Sequence, residues 1–287
     1  MAEFAGLTHS LGPYLELPQL NNISMTIAVR NRIILSGLGI TILMLIIFLI
    51  SVILIFQNTS FGAGDALPKV NLTRILILLF SVVCFCIITV VIFYLSFRKT
   101  TAPEMFFFLI FLISISFDCL KAMQALFTIR EVAPYYAGLM TRLVYFGKYL
   151  GTMCILVSGL FAHNTEYQRM EIYLGVALLL SFTLSYAVPV DFTTLRPNLL
   201  SAIGYAEELF IISTLFLAFG VLNYLYSALQ DRSSSHLLMA TGITAVIIGR
   251  ELVFYLDNSI GLIVAFLLLI GGTTLFGERT HEVHLWG

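Results

Sequence analysis

Apolar runs of bilayer length divide the chain, and they restrict it to one class of fold. Ile33–Phe56 and Ile75–Phe97 contain no charged residue from end to end. A helix rises about 1.5 Å per residue, so about 20 apolar residues cross a hydrocarbon layer roughly 30 Å thick. Inside that layer every backbone N–H and C=O must be bonded within the segment, so such a run folds as a helix. Composition agrees. The chain is 59% hydrophobic and 11% charged, with a mean hydropathy of +0.98, whereas soluble domains carry about 25% charged residues. The net charge of −1 offers no basic face, which argues against nucleic acid as a partner.

Six further apolar segments follow, at about Met105–Phe127, Tyr136–Ala162, Ile172–Pro189, Ile203–Leu229, Leu237–Leu256 and Ser259–Phe276. The expected fold is all-α and polytopic, with eight transmembrane helices. A cytoplasmic lead (1–32) precedes the first transmembrane helix (33–56), and an extracytoplasmic loop (57–74) leads to a seven-helix bundle (75–277) and a cytoplasmic tail (278–287). Ile33–Phe56 starts too late and runs too long for a cleavable signal peptide. It is read as a retained helix, with a loosely packed separate anchor as the alternative. The connection at Asp257-Asn258 is so short that the last two helices form an antiparallel hairpin; a re-entrant hairpin there would reduce the count to seven. Prolines 13, 18, 68, 103, 134, 189 and 197 lie outside the spans or at their ends, so the helices should run without breaks.

An even number of spans places both ends of the chain on one side. That side collects Arg30, Arg32, Arg98, Lys99, Arg169, Arg232 and Arg279, against Lys69, Arg74, Arg130 and Arg196 on the other. Basic residues concentrate in cytoplasmic loops, so both termini are expected in the cytoplasm. The short loops and low lysine content suit a bacterial inner membrane.

Four of the apolar segments nevertheless carry charge: Asp118 and Lys121, Arg142 and Lys148, Glu207 and Glu208, and the adjacent Arg250 and Glu251. A charge at the centre of a membrane helix costs roughly 2.5–3.5 kcal/mol on insertion scales and calls for a partner. Counting along helices of alternating direction places all eight in one half of the bilayer, the outer half for cytoplasmic termini. At about 100° per residue, Ser114, Asp118, Lys121 and Gln124 share one face of the third helix. Arg142, Tyr145, Lys148, Tyr149 and Thr152 share one face of the fourth. Arg250 and Glu251 point about 100° apart and should engage different neighbours. These residues form the expected ligand-binding or charge-network site. It has two readings: a pocket open to the outer face, or a structural salt-bridge network near the interface.

Other motifs carry less. Gly147-x-x-x-Gly151 allows close helix packing within the chain, and Gly271-Gly272 admits a neighbour or a kink. Cys84, Cys86, Cys119 and Cys154 all lie in apolar segments as small buried side chains. Asn58 and Asn71 match the glycosylation pattern but stand close to the membrane. His281-x-x-His284, with Glu278 and Glu282, resembles metal-ligand spacing, but the same residues suit a solvated tail; no metal or cofactor is expected. The segment count invites comparison with seven-helix sensor modules, yet no motif supports it, and the seventh helix has no lysine for a retinal Schiff base.

Three function classes remain. The first is a receptor- or sensor-type protein, or a membrane-assembly subunit. It would take a small-molecule or lipid ligand from the outer face and signal through a protein partner at the cytoplasmic loops or C-terminal tail. The second is a transporter or ion pathway using the intramembrane charges, which needs polar groups continuing into the inner half. The third is an intramembrane enzyme acting on a lipid-linked substrate. The cluster contains neither a His nor an activated nucleophile, so no catalytic residue is assigned.

Overall fold

The computed structural model describes residues 26–59, 72–99, 102–162, 169–196, 198–231, 234–255 and 259–286. The helices are α1 (Ile27–Thr59), α2 (Leu72–Phe97), α3 (Pro103–Ile115), α4 (Leu120–Ile129), α5 (Pro134–Phe161), α6 (Met170–Ala187), α7 (Ala206–Asp231), α8 (Ser234–Tyr255) and α9 (Ser259–Trp286). A 3₁₀ segment, Ser116–Cys119, joins α3 to α4. These three pieces together make one span, Pro103–Ile129, so among the described residues eight helical units are long and apolar enough to cross a membrane. The chain is an all-α polytopic membrane protein. The end of the bundle where α1 begins and α9 finishes is its proximal end, and the opposite one is its distal end.

The third span is the axis of the bundle. Its most apolar stretch is 94% buried, against 22% for the first, fifth and sixth spans, whose outward faces are left for lipid. Phe106, Phe107, Phe108, Phe111 and Leu112 pack in its proximal half at 2% exposure or less. α1 packs on α2 and α4 through Phe48 and Ile55, and on α3 through Ile34 and Gly37, the latter against Ile113. At its proximal end Arg30 Nη2 donates to the Phe97 carbonyl at 3.1 Å and Asn31 Nδ2 to that of Arg98 at 3.1 Å. Both bonds satisfy carbonyls left open where α2 ends.

Small residues set the closest helix crossings. A Cβ on Gly147 would lie 2.5 Å from Phe117 Cβ and 2.8 Å from the Ser114 carbonyl oxygen. Gly151 meets Ser114 and Phe111 in the same way, so the Gly147–Gly151 pair seats α5 on the third span. Gly272 lies against the Gly242 backbone and locks α9 to α8, while Gly271 faces open space. Gly147→Ala is expected to destabilise the protein by about 1–3 kcal/mol through overpacking. Thermal unfolding in detergent measures this; an unchanged melting temperature would contradict the tight seat.

Four features depart from the sequence-based outline. The third span is not continuous: Ser114 Oγ bonds the Phe111 carbonyl at 2.7 Å and Ser116 Oγ bonds that of Ile113 at 2.6 Å. Such back-bonding competes with the helical ladder and bends or tightens it, here into the 3₁₀ turn that carries Asp118. α1 starts at Ile27 and so includes Arg30 and Arg32. α9 extends through Glu278 to Trp286, in place of the expected tail. Between α6 and α7 an antiparallel hairpin, β1 (Val190–Leu195) and β2 (Ser201–Ile203), takes the place of a plain loop. Of the glycosylation patterns, Asn58 falls in the last turn of α1 and Asn71 lies outside the described residues, as does the Asp257-Asn258 connection.

Candidate functional site

The charges converge on the ring of Phe254, which is 1% exposed. Lys121 Nζ lies 4.2 Å from its centroid, Lys148 Nζ 4.7 Å and the Arg250 guanidinium carbon 5.0 Å. The negative face of an aromatic ring attracts cations, and the attraction grows to about 2 kcal/mol or more when water is excluded. All three cations are buried. Phe254 itself is held edge-on by Tyr145 at 5.6 Å and by Tyr255 at 4.9 Å.

Two carboxylates complete the cluster. Arg250 Nη2 stands 3.6 Å from Asp118 Oδ1, and Lys148 Nζ stands 3.0 Å from Glu251 Oε2. Arg250 and Glu251 thus engage different helices, in line with their angular separation. Lys148 also donates to the Tyr255 hydroxyl at 2.6 Å, and Lys121 Nζ reaches the Phe254 carbonyl at 3.5 Å. Among the described residues neither oxygen of Asp118 accepts a hydrogen bond and neither Arg250 Nη atom donates one, so that pair is held by charge.

Asp118 and Lys148 fall within two residues of the middle of their spans, Pro103–Ile129 and Pro134–Phe161, while Lys121, Arg250 and Glu251 fall well to the distal side of theirs.

The remaining residues expected at the site divide. Tyr149 packs beside Tyr145 in the cluster wall. Gln124 belongs to a separate buried knot. Its Nε2 donates to Ser201 Oγ at 2.8 Å, its Oε1 accepts from Thr141 Oγ1 at 2.8 Å, and Thr141 Oγ1 accepts from the Ser201 backbone N–H at 3.2 Å. This knot ties α4 and α5 to the hairpin. Arg142 turns to α6, with its guanidinium carbon 5.1 Å from the Tyr186 ring centroid. Glu207 and Glu208 are exposed in the first turn of α7, where negative charge complements the helix dipole. These three do not join the cluster.

The hairpin closes the distal side. Leu200 and Ile203 pack in the same apolar group as Tyr145, Tyr149 and Phe254. Leu199 adopts a left-handed backbone, φ 64°, and sets its buried side chain among Ile55, Ala125, Leu126 and Ile129. The backbone cost, of order 1–3 kcal/mol, is offset by that packing, which fixes the hairpin over the helix ends. Among the described residues the hairpin therefore stands over the distal side of the cluster.

Among the described residues the opening that reaches the cluster is lateral. A cleft of about 650 Å³ lies between α7 and α8, bordered by Phe210, Leu217, Val221, Ile247, Glu251 and Tyr255. Its volume falls in the range of small-molecule sites, roughly 300–1,000 Å³. Glu251, with 23% of its side chain exposed, and Tyr255 supply its polar end. A small void of about 10 Å³ also touches Thr152, Arg250 and Glu251. On the proximal side Phe107, Phe108, Phe111 and Phe276 form a dry layer. Beyond it Ser158 bonds the Glu104 carbonyl at 2.9 Å and the Tyr224 hydroxyl at 2.6 Å.

Sequence reasoning missed Phe254 and Tyr255. Each stands four residues after a charged partner, Arg250 or Glu251, and residues four apart share a helix face; that spacing is the signal that finds them. The geometry defines the class: an all-α polytopic membrane protein with a buried charge cluster at the head of a lateral cleft. Compared with known proteins, the chain matches no family model, no curated protein and no solved structure.

Proposed function

We propose that this is a receptor- or sensor-type membrane protein, or the equivalent subunit of a membrane assembly, whose ligand reaches the charge cluster sideways from the bilayer. One observation carries this reading: the hairpin covers the distal end of the cluster, while the α7–α8 cleft runs from Glu251 and Tyr255 out to the lipid-facing surface. The ligand would contact Glu251 and Tyr255. Glu251 is bonded to Lys148, and Lys148 shares the Phe254 ring with Lys121 and Arg250. A shift of Glu251 would therefore reach α5 and, through Arg250 and Asp118, the 3₁₀ turn of the central span. Output would pass to a protein partner at the proximal loops or the end of α9.

The transport reading has less support. Its path would have to cross the packed phenylalanine layer between the cluster and the Glu104–Ser158–Tyr224 group. We place the proximal face in the cytoplasm of a bacterial inner membrane, on the seven basic residues that the sequence gathers on that side. A reporter fused after Gly287 is expected to be active only in the cytoplasm; activity only outside it would invert the orientation.

A photoreactive acyl lipid tests the lateral route. Crosslinks are expected to concentrate on Leu217, Val221, Ile247 and Ile248. Crosslinks spread evenly over the exposed faces of α1, α6 and α7 would contradict a lateral binding cleft.

A further inference from the structure

A second lateral groove, of about 390 Å³, lies between α2 and α9, and its lining residues differ from those of the α7–α8 cleft. The two helices meet on its proximal side. Phe85 and Phe266 pack edge-on with ring centroids 5.7 Å apart, and Phe97 meets His281 at 5.6 Å. A Cβ on Gly277 would lie 2.5 Å from Phe93 Cε1. Distal to Phe85 and Phe266 the seam is open, between Ile77, Leu78 and Ser81 of α2 and Leu262, Ile263 and Leu267 of α9. There α9 is held by α8, where Gly249 lies against the Ala265 carbonyl. Ser81 donates its hydroxyl proton to the Ile77 carbonyl at 2.9 Å, so the walls offer apolar surface. The result is a wedge, closed by aromatic rings at its proximal end and open to the distal leaflet.

The wedge has the depth of one leaflet. Its α2 wall from Arg74 to Phe85 is about 16 Å of helix, and half of a hydrocarbon layer is about 15 Å. An extended acyl chain fits that depth.

The mouth is positive. Arg74 is exposed there, in the first turn of α2. α9 also begins at this end, at Ser259, so the positive ends of two helix dipoles lie at the same level. Arg74 keeps another interaction as well. A guanidinium has five N–H donors in a fork that matches phosphate, so it can hold a phosphate beside that partner. We infer that the α2–α9 groove binds a glycerophospholipid of the distal leaflet, with one acyl chain in the wedge and the phosphate on Arg74. This site is independent of the ligand route through the α7–α8 cleft.

Native mass spectrometry of the full chain tests it, titrated with dioleoylphosphatidylglycerol and with dioleoylglycerol, which has the same chains and no phosphate. The phospholipid is expected to bind about tenfold tighter. Arg74→Gln should remove most of that difference. Ile263→Trp, at an exposed position where the indole fills the wedge, should weaken both lipids several-fold. Ala218→Trp, which fills the α7–α8 cleft, should leave the difference unchanged. Equal binding of the two lipids, or a difference that survives Arg74→Gln, overturns the phosphate pairing. Binding untouched by Ile263→Trp, or a difference lost in Ala218→Trp, overturns the groove as the site.

Discussion

Arg250→Ala is expected to cost about 3–5 kcal/mol of stability, the penalty for leaving one member of a buried ion pair uncompensated. Asp118 is 1% exposed, and among the described residues Arg250 is the cation within salt-bridge distance of it, at 3.6 Å. Among the described residues no hydrogen bond to either Asp118 oxygen softens the loss. The substitution also removes one of the cations on the Phe254 ring. Adding Asp118→Asn to Arg250→Ala should recover part of the loss, because the stranded charge disappears with it. Chemical unfolding in detergent measures both variants. A single variant within about 0.5 kcal/mol of the parent, the range of neutral surface changes, would mean that water or lipid headgroups already solvate Asp118.

Phe254→Leu is the second large effect. A volume-conserving apolar replacement in a core costs under about 1.5 kcal/mol. Phe254 differs from the other buried phenylalanines because Lys121, Lys148 and Arg250 all lie within 5.0 Å of its centroid. Leucine offers these cations no negative face, and each contact is worth about 2 kcal/mol in a desolvated site, though the three are not additive. The expected loss is about 3–4 kcal/mol. Phe107→Leu, made in the dry proximal layer, is the comparison and should stay near the ordinary packing cost. Equal losses for the two substitutions would show that the Phe254 ring acts as filler and not as the shared electrostatic partner of the three cations.

The eight spans are legible in the sequence because each apolar run is long and proline falls outside the runs or at their ends. The opposed directions of Arg250 and Glu251 are legible too, since helical phase needs only the sequence. Phase also places Asp118 with Lys121, and Lys148 with Tyr149, on common faces. It cannot choose among neighbours. Arg142 shares the Lys148 face, yet it stacks on Tyr186 because α6 packs along α5. Gln124 shares the Lys121 face, yet it bonds Ser201 on a hairpin whose position depends on tertiary packing. That hairpin is the largest element the span pattern hides. Val190–Leu195 reads V-D-F-T-T-L, a β-rich alternation between Pro189 and the turn at Asn198, but it borders two membrane spans and so passes for a connection. The 3₁₀ turn is equally hidden, because proline is the usual mark of a break. Here the hydroxyls of Ser114 and Ser116 have the same effect by bonding back to carbonyls three residues earlier.

These two elements bear on function. With a plain loop between α6 and α7 the distal side of the cluster would lack this cover; the hairpin seated by Leu199, Leu200 and Ile203 is what the proposed lateral access rests on. Asp118 and Lys148 lie near the middle of their spans, where an unpaired charge costs most, and each has an oppositely charged partner on α8.

The most direct test of lateral access is a density map of the full chain in lipid nanodiscs, read along the α7–α8 cleft. Elongated non-protein density is expected beside Leu217, Val221 and Ile248, ending at Glu251 and Tyr255, with the hairpin closed over Phe254. A cleft closed by its own side chains, with water reaching Asp118 and Arg250 from the distal face, would contradict it.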